Sequence, residues 1–426
     1  MNKKTVLAFD IGTGSGRGIL GYWDEEKGLE KIEEIYRFEN GFIQINDGYY
    51  WDHLHIYREI INCLKKCSEN NIQIDSIGID TWAQDYAYIG DGGEPLGYVR
   101  AYRDPIFDEI GIATQDRLVL DEKIRPKEKA AAHCFLFLAY LLVQMLTGEE
   151  AYDESETSIA HMMPNPLLPK RMEPGEIIGY TGKAVLDQTG YDRIPVACTL
   201  AHDTASAVYS IPDRENFMWN SSGSFAMMGI VTEGKVLENE ELAPLRYVNT
   251  ALDGNRICPM HGSGTGMYHI QQCMKKWKAD GIAVTYSELT EYAVKHKTDK
   301  CIDLKTLDET TADMPAEINR QLKEDGFEEA KTPEEIYEVF CNSLAREVAD
   351  SLLGLEAAAG LHFDKIYIIG GGSQADGVSL RIKAFTGKEI YAGITEASAI
   401  GNILAQLKAV CGKDITSGKL LEMRKL

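Results

Sequence analysis

The chain has 426 residues, 44% of them hydrophobic, and a formal net charge of −22. That length suffices for two or three domains with cores that need neither disulfides nor structural metal. So acidic a balance argues against a sequence-independent nucleic-acid binder, which needs clustered cations, but leaves room for a local pocket of backbone N–H groups. The nine cysteines are scattered, with no CxxC pair or Cys/His cluster of zinc-like spacing. Cys63 and Cys67, one helical turn apart, read either as a disulfide or metal pair or as small apolar side chains in a core. MNKKTVLAFD holds no apolar segment of signal-peptide length, and Phe135 to Leu146 is shorter than a membrane span. The expectation is a cytoplasmic protein without a membrane partner.

In chain order, Lys4 to Ile11 and Arg17 to Trp23 are short apolar runs on either side of IGTGSGR, which predicts a hairpin. Gly12, Gly14 and Gly16 do not spell GxGxxG and no GK[ST] follows, so a dinucleotide fingerprint and a Walker loop are both disfavoured. Trp51 to Asn70 predicts an amphipathic helix capped by Asp52, with Leu54, Tyr57, Ile61 and Leu64 on one face. Ile77 to Ile89 reads as one extended strand turned at Asp91-Gly92-Gly93, and His133 to Leu146 as a helix ending at Gly148. Residues 217–231, FMWNSSGSFAMMGIV, repeat the N-terminal layout of strand, hydroxyl-bearing tip and strand. Two such hairpins predict two similarly built lobes, residues 1–212 and 213–426. Thr332-Pro333-Glu334-Glu335 is a capping box opening a helix with Ile336, Phe340, Leu344, Val348 and Leu352 on one face. KIYIIGGGS then reads as strand into glycine turn, EIYAG as a strand, and Thr395 as the cap of a last helix. Alternating strands and helices argue α/β lobes.

Four stretches can carry chemistry, and each has a plainer reading beside it. Asp10 to Arg17 can form an anion nest at a hairpin tip, with Asp10 near a phosphate-bound metal, or be an ordinary glycine turn. Asp203, in AHDTASA, can sit at a helix N-terminus where partial positive charge favours its ionised form. There it can accept a proton as general base, or merely cap the helix. His202 reads equally as a ligand contact or a satisfied buried histidine. IGGGSQ allows close approach of a flat base or ribose, or is a tight turn. Asp80 to Asp85, DTWAQD, suits a sugar ring, or is core tryptophan with paired polar neighbours.

Together, DIGTGSGRGIL, SIGIDTWAQDY, YRDP, HDTASAV, SSGS, IIGGGSQ and EASAIGNILAQ resemble the FGGY carbohydrate kinases, and within them the rhamnulokinase branch. The resemblance runs from about Val6 to Ala409. It implies an α/β fold with two actin-like (ribonuclease H-like) lobes around a central catalytic cleft. The N-terminal lobe would serve the sugar and phosphates, the C-terminal one the nucleotide. The implied reaction transfers phosphate from ATP, with Mg²⁺, to a terminal hydroxyl of a ketose, giving a sugar 1-phosphate and ADP. Carried over by position, Asp203 is the proton acceptor, and Ala83, Trp82, His202, Thr204 and Ser263 face the sugar. Thr13, Gly14, Ser15, Gly16, Arg17, Ser224, Gln271 and Gly371 contact the nucleotide, with Asp10 near the metal. The implied partners are a small ketose and ATP, in a monomer or homodimer.

The chain also departs from that pattern. Ala83 stands where the family has glycine, Ser263 where it has a sugar-contacting asparagine, and Ala375 where it has an asparagine near adenine. Roughly forty residues expected between YRDP and the Cys134 region are missing. A second reading is therefore a non-catalytic sugar- and nucleotide-binding regulator of the same fold. A third is an actin-like ATPase without a sugar substrate.

Overall fold

The computed structural model describes residues 3–111, 113–159, 165–213, 217–233, 248–253, 256–262, 266–415 and 418–426. The chain forms two compact units. Unit 1 comprises Met1–Pro212, Val248–Ile257 and Ala397–Glu422, and unit 2 comprises Asp213–Tyr247, Cys258–Glu396 and Met423–Leu426.

Unit 1 begins with β1 (Lys3–Ile11), β2 (Ser15–Asp24), β3 (Gly28–Glu39) and α1 (His53–Glu69). Then come β4 (Ser76–Thr81), β5 (Tyr86–Ile89), α2 (Thr114–Ile124), β6 (Cys134–Phe137) and α3 (Leu138–Thr147). Helix α4 (Glu154–Ile159), strands β7 (Ile177–Tyr180) and β8 (Pro195–Ala197), and helix α5 (Asp203–Tyr209) follow. The main sheet runs β7-β8-β4-β1-β2-β3. β1 pairs antiparallel with β2 and parallel with β4, which sets Asp10 beside Asp80. Leu7, Phe9, Ile77 and Ile79 of this sheet and Ile56, Ile60 and Leu64 of α1 share one core. Each such burial is worth about 1.5–3 kcal/mol.

Two expectations change here, and one open reading is decided. Asp52 does cap α1, accepting from His55 N at 2.9 Å, but Leu54 is exposed and the buried face runs through Ile56, Ile60, Ile61, Cys63, Leu64 and Cys67. Cys63 and Cys67 are free, buried thiols in that core. The stretch His133–Leu146 is not one helix: Cys134–Phe137 is strand β6, paired antiparallel with β5. Its alternating Phe135 and Phe137 pack in one aromatic group with Tyr86 and Tyr88. A continuous apolar run hides that two-residue period.

Unit 2 repeats the layout with β9 (Phe217–Ser222), β10 (Ala226–Glu233), α6 (Tyr268–Ala279), α7 (Tyr286–Lys295) and α8 (Pro333–Ala359). β11 (Lys365–Ile369), α9 (Asp376–Thr386) and β12 (Glu389–Ala392) follow. β9 pairs antiparallel with β10 and parallel with β11, which pairs parallel with β12. The predicted face of α8, from Ile336 to Leu352, is buried against Met218, Ile230, Ile366 and Ile368. Thr332 caps this helix through Glu335 N at 3.3 Å, while the Glu335 carboxylate takes the N–H of Lys331 rather than that of Thr332. The last long helix, α10 (Ala397–Cys411), returns to unit 1, although it lies beyond Pro212. Among the described residues no helix is long and apolar enough to cross a membrane.

Candidate active site

The hairpin tip between β1 and β2 is tied down by Asn40. Its side chain donates to Gly12 O at 2.8 Å and its amide to Gly14 O at 3.2 Å. Gly14 has open space around it, whereas a Cβ on Gly16 would run into the Phe38 ring. Glycine at 16 is therefore already required by packing. Arg17 forms an ion pair with Asp10, its neighbour in register across the hairpin. Asp10 is buried, and its pKa is raised by desolvation and by Asp203, against the lowering effect of Arg17. Asp80 is fully buried on β4. Its Oδ2 accepts from Asn402 of α10 at 2.6 Å, and its Oδ1 has no partner among the described residues. Desolvation, followed by Asp10, raises its pKa well above the carboxylate range.

Asp203 is the first residue of α5, a seven-residue helix preceded by His202. Its Oδ1 accepts from the amide and hydroxyl of Thr204, at 2.6 and 3.1 Å. The side chain is 37% exposed, yet burial pushes its pKa up to about 6, against the lowering effect of the Thr204 bonds. The helix-terminus argument predicted the opposite sign. A short helix offers a weak partial charge, and desolvation outweighs it. His202 is buried, and desolvation drops its pKa to about 3, which keeps its imidazole neutral. Its Nε2 lies 3.5 Å from Asp203 Oδ1, and its Nδ1 has no partner among the described residues. Helix α10 supports α5: Ser206 Oγ donates to Ser398 O at 2.8 Å, and Gly401 lies where a Cβ would overlap the Ser206 carbonyl.

The predicted strand Ile77–Ile89 breaks between β4 and β5. Gln84 takes a left-handed backbone with φ of 82°, a conformation rare outside glycine. Thr114 and Arg117 of α2 hold it there. Thr114 N donates to Gln84 Oε1, and Arg117 donates to Gln84 O, both at 2.9 Å. The next residue, Asp85, collects three donors: the indole N–H of Trp51 at 2.6 Å, that of Trp82 at 2.8 Å, and Arg117 at 2.7 Å. Trp82 and Ala83 are buried, with 6% and 8% exposure. Residue 81 bridges to His202, so this loop adjoins the start of α5.

Sequence reading assigned no role to Trp51 or Arg117, and missed Glu156 on α4. Both carboxyl oxygens of Glu156 are buried without a partner among the described residues. Desolvation and then the charges of Asp153, Asp203 and Asp85 raise its pKa well above the ordinary value. No motif marks it, because Asp85 and Asp203 reach it from segments distant in the chain.

In unit 2, Ser224 sits on the turn between β9 and β10, and its hydroxyl donates to Gln271 Oε1 of α6 at 3.0 Å. Both line a cavity of about 350 Å³ with Gly223, Gly371, Gly372 and Gln374. Tyr286 and Thr290 of α7, Tyr337 of α8 and Ala375 form other parts of its wall. The glycine run is required by Ser222. Gly370 has φ of 80°, and a Cβ there would lie 2.9 Å from Ser222 O, while one on Gly372 would overlap Ser222 Oγ. Thus Ser224, Gln271 and Gly371 meet at one cavity of unit 2. In unit 1, Asp10, Arg17 and Asp203 belong to one electrostatic group, with Thr204, His202 and the Trp82–Ala83 loop beside it. Ser263 lies outside the described residues.

No family model matches the chain. A rhamnulokinase of Bacteroides thetaiotaomicron is 30% identical to it over 96% of this chain and 91% of its own length. One of Oceanobacillus iheyensis is 27% identical over 95% of this chain and 93% of its own. Among solved structures, xylulose kinase of Rhodospirillum rubrum superposes with a TM-score of 0.74 at 14% identity, covering 99% of this chain and 93% of its own. Glycerol kinase of Plasmodium falciparum with ADP gives 0.75 at 14%, with the same coverage. The fold is therefore the two-lobed actin-like one of the sugar kinases. On this sequence likeness the chain belongs to the FGGY carbohydrate kinases, in their rhamnulokinase branch.

Proposed function

We propose that the protein transfers the γ-phosphoryl group of ATP to the terminal hydroxyl of a small ketose resembling L-rhamnulose, releasing ADP and a sugar 1-phosphate. The observation that carries this reading is Asp203, a carboxylate with a pKa near 6 at the start of a helix. Its charge acts on Asp10, which pairs with Arg17 at the base of the glycine hairpin. Such a group is mostly ionised at neutral pH, yet more basic than a free aspartate. In the proposed step Asp203 accepts the hydroxyl proton as that oxygen bonds to phosphorus and the bond to the ADP oxygen breaks. General-base help of this kind is worth about 10²–10⁴ in rate.

Family likeness supports the remaining assignments. Trp82, Ala83, His202, Thr204 and Ser263 are given to the sugar, and residues 1–212 to the sugar and phosphate side. Thr13 to Arg17, Ser224, Gln271 and Gly371 are given to ATP, the last three within residues 213–426. Asp10, with Asp80 and its Oδ1 that has no partner among the described residues alongside, offers the hard oxygen donors that suit Mg²⁺. When bound, Mg²⁺ would supply charge neutralisation between the β- and γ-phosphates.

The test is ADP release measured over L-rhamnulose, L-fuculose, L-ribulose and D-xylulose. Sugar-dependent turnover on at least one ketose supports the proposal. Saturable sugar binding without turnover would make the protein a regulator, and sugar-independent ATP hydrolysis would make it an ATPase of another kind.

A further inference from the structure

Away from the residues assigned to phosphoryl transfer, three unlike donors converge at one end of the β5–β6 ribbon. His133 precedes β6, Cys134 opens it, and Glu150 lies just after α3. His133 Nε2 is 2.8 Å from Glu150 Oε2, and Cys134 Sγ is 3.5 Å from the same oxygen. One ligand atom from each residue lies within 4.8 Å of the others. We propose that His133, Cys134 and Glu150 form a binding site for a thiophilic divalent cation of the zinc class, completed by water on its open side.

The separations suit that ion. Zinc bonds of about 2.0–2.3 Å to nitrogen, oxygen and sulfur make tetrahedral edges of roughly 3.3–3.8 Å. The 3.5 Å sulfur-to-oxygen spacing falls in this range, and the 2.8 Å nitrogen-to-oxygen spacing needs to open by about half an ångström. Donor chemistry excludes the commoner alternatives: thiolate with imidazole selects zinc-like ions over magnesium or calcium. Charge also balances, because a thiolate, a carboxylate and a neutral imidazole around a divalent ion sum to zero. Asp91 adds further negative charge near His133. His133 and Glu150 are partly exposed, with side chains 35% and 25% accessible, and Cys134 is buried. The ion would therefore rest on a thiol floor with an outer face open to solvent. Chain spacing hides the site, because Glu150 comes only after the whole of α3.

The location gives such an ion a structural use. β6 pairs with β5 from Cys134 opposite Ile89 to Phe137 opposite Tyr86, and Leu138 N then donates to Asp85 O at 2.9 Å. A cation at the first end would clip the ribbon whose other end seats Asp85 and, through it, Trp82.

The experiment titrates full-length, metal-free protein with Co²⁺ and follows its absorption, then displaces Co²⁺ with Zn²⁺. The expected result is one equivalent with a sulfur-to-cobalt charge-transfer band and tetrahedral-intensity d–d bands. Cys134→Ser should abolish the charge-transfer band, and the partly exposed change Glu150→Gln should weaken Zn²⁺ binding by at least roughly tenfold. Absence of the band in the wild type, its persistence in Cys134→Ser, or an unchanged affinity in Glu150→Gln would each overturn the proposal. None of these readouts depends on kinase activity, so the site and the proposed reaction fail or stand separately.

Discussion

One carboxylate oxygen of Asp203 receives both the amide N–H and the hydroxyl of Thr204, at 2.6 and 3.1 Å. This pairing partly offsets the desolvation that raises Asp203 to about 6. A base must be ionised to accept a proton, so kcat/KM should fall about tenfold per pH unit below a limb near pH 6. Asp203→Asn should lose about 10²–10⁴ in kcat with its circular dichroism unchanged. A flat acid limb in the wild type would remove Asp203 from the role of base.

Thr204→Val keeps the amide donor and removes the hydroxyl. Because the lost bond favours the charged form, the acid limb should move to higher pH. The reading is a pH–rate profile of the variant beside the wild type. A limb that moves down would show that the hydroxyl acts elsewhere.

Asp85 collects Trp51, Trp82 and Arg117 in a buried cluster. Asp85→Asn strands the Arg117 guanidinium, which is 1% exposed. Losing one partner of a buried ion pair costs about 3–5 kcal/mol. Trp51→Phe removes only an indole hydrogen bond and some ring area, so it should cost less. Chemical denaturation of both variants tests the order, and a reversed order would deny Asp85 its organising place.

Burial, and then neighbouring Asp153, Asp203 and Asp85, raise the pKa of Glu156. A carboxyl whose folded pKa is raised contributes stability below its unfolded pKa, near 4.3, and loses it as pH rises toward the folded value. Glu156→Gln keeps the shape without the ionisation. The variant should therefore gain Tm relative to wild type as pH goes from 5 to 8, by roughly 2–4 °C for each kcal/mol relieved. An unchanged pH dependence of Tm would mean that Glu156 is ionised and paired.

Gly401→Ala places a methyl against the Ser206 carbonyl and must push α10 from α5. Overpacking of this kind costs about 1–3 kcal/mol. Since α5 begins with Asp203, turnover should fall more than ATP binding, as a kcat loss with near-constant nucleotide KM. Wild-type kcat would show that α5 tolerates the shift.

The sequence by itself determined the strand–glycine–strand hairpins, the apolar face of α8 and the motifs that place Asp10 and Asp203 in an FGGY kinase. These are local matters, since glycine tips, helical period and capping residues act within a few positions of the chain. It misread what depends on distant partners. Ile77–Ile89 looked continuous because neither Trp51 nor Arg117, whose pull on Asp85 accompanies the break, is near it in sequence. Asp203 was expected to be favoured in its charged form from its place on a helix. Only the tertiary structure decided the sign, because desolvation is set by how many segments crowd a carboxyl rather than by the one that carries it. Glu156 and the His133–Cys134–Glu150 cluster were invisible for the same reason: burial and convergence are properties of the packed chain.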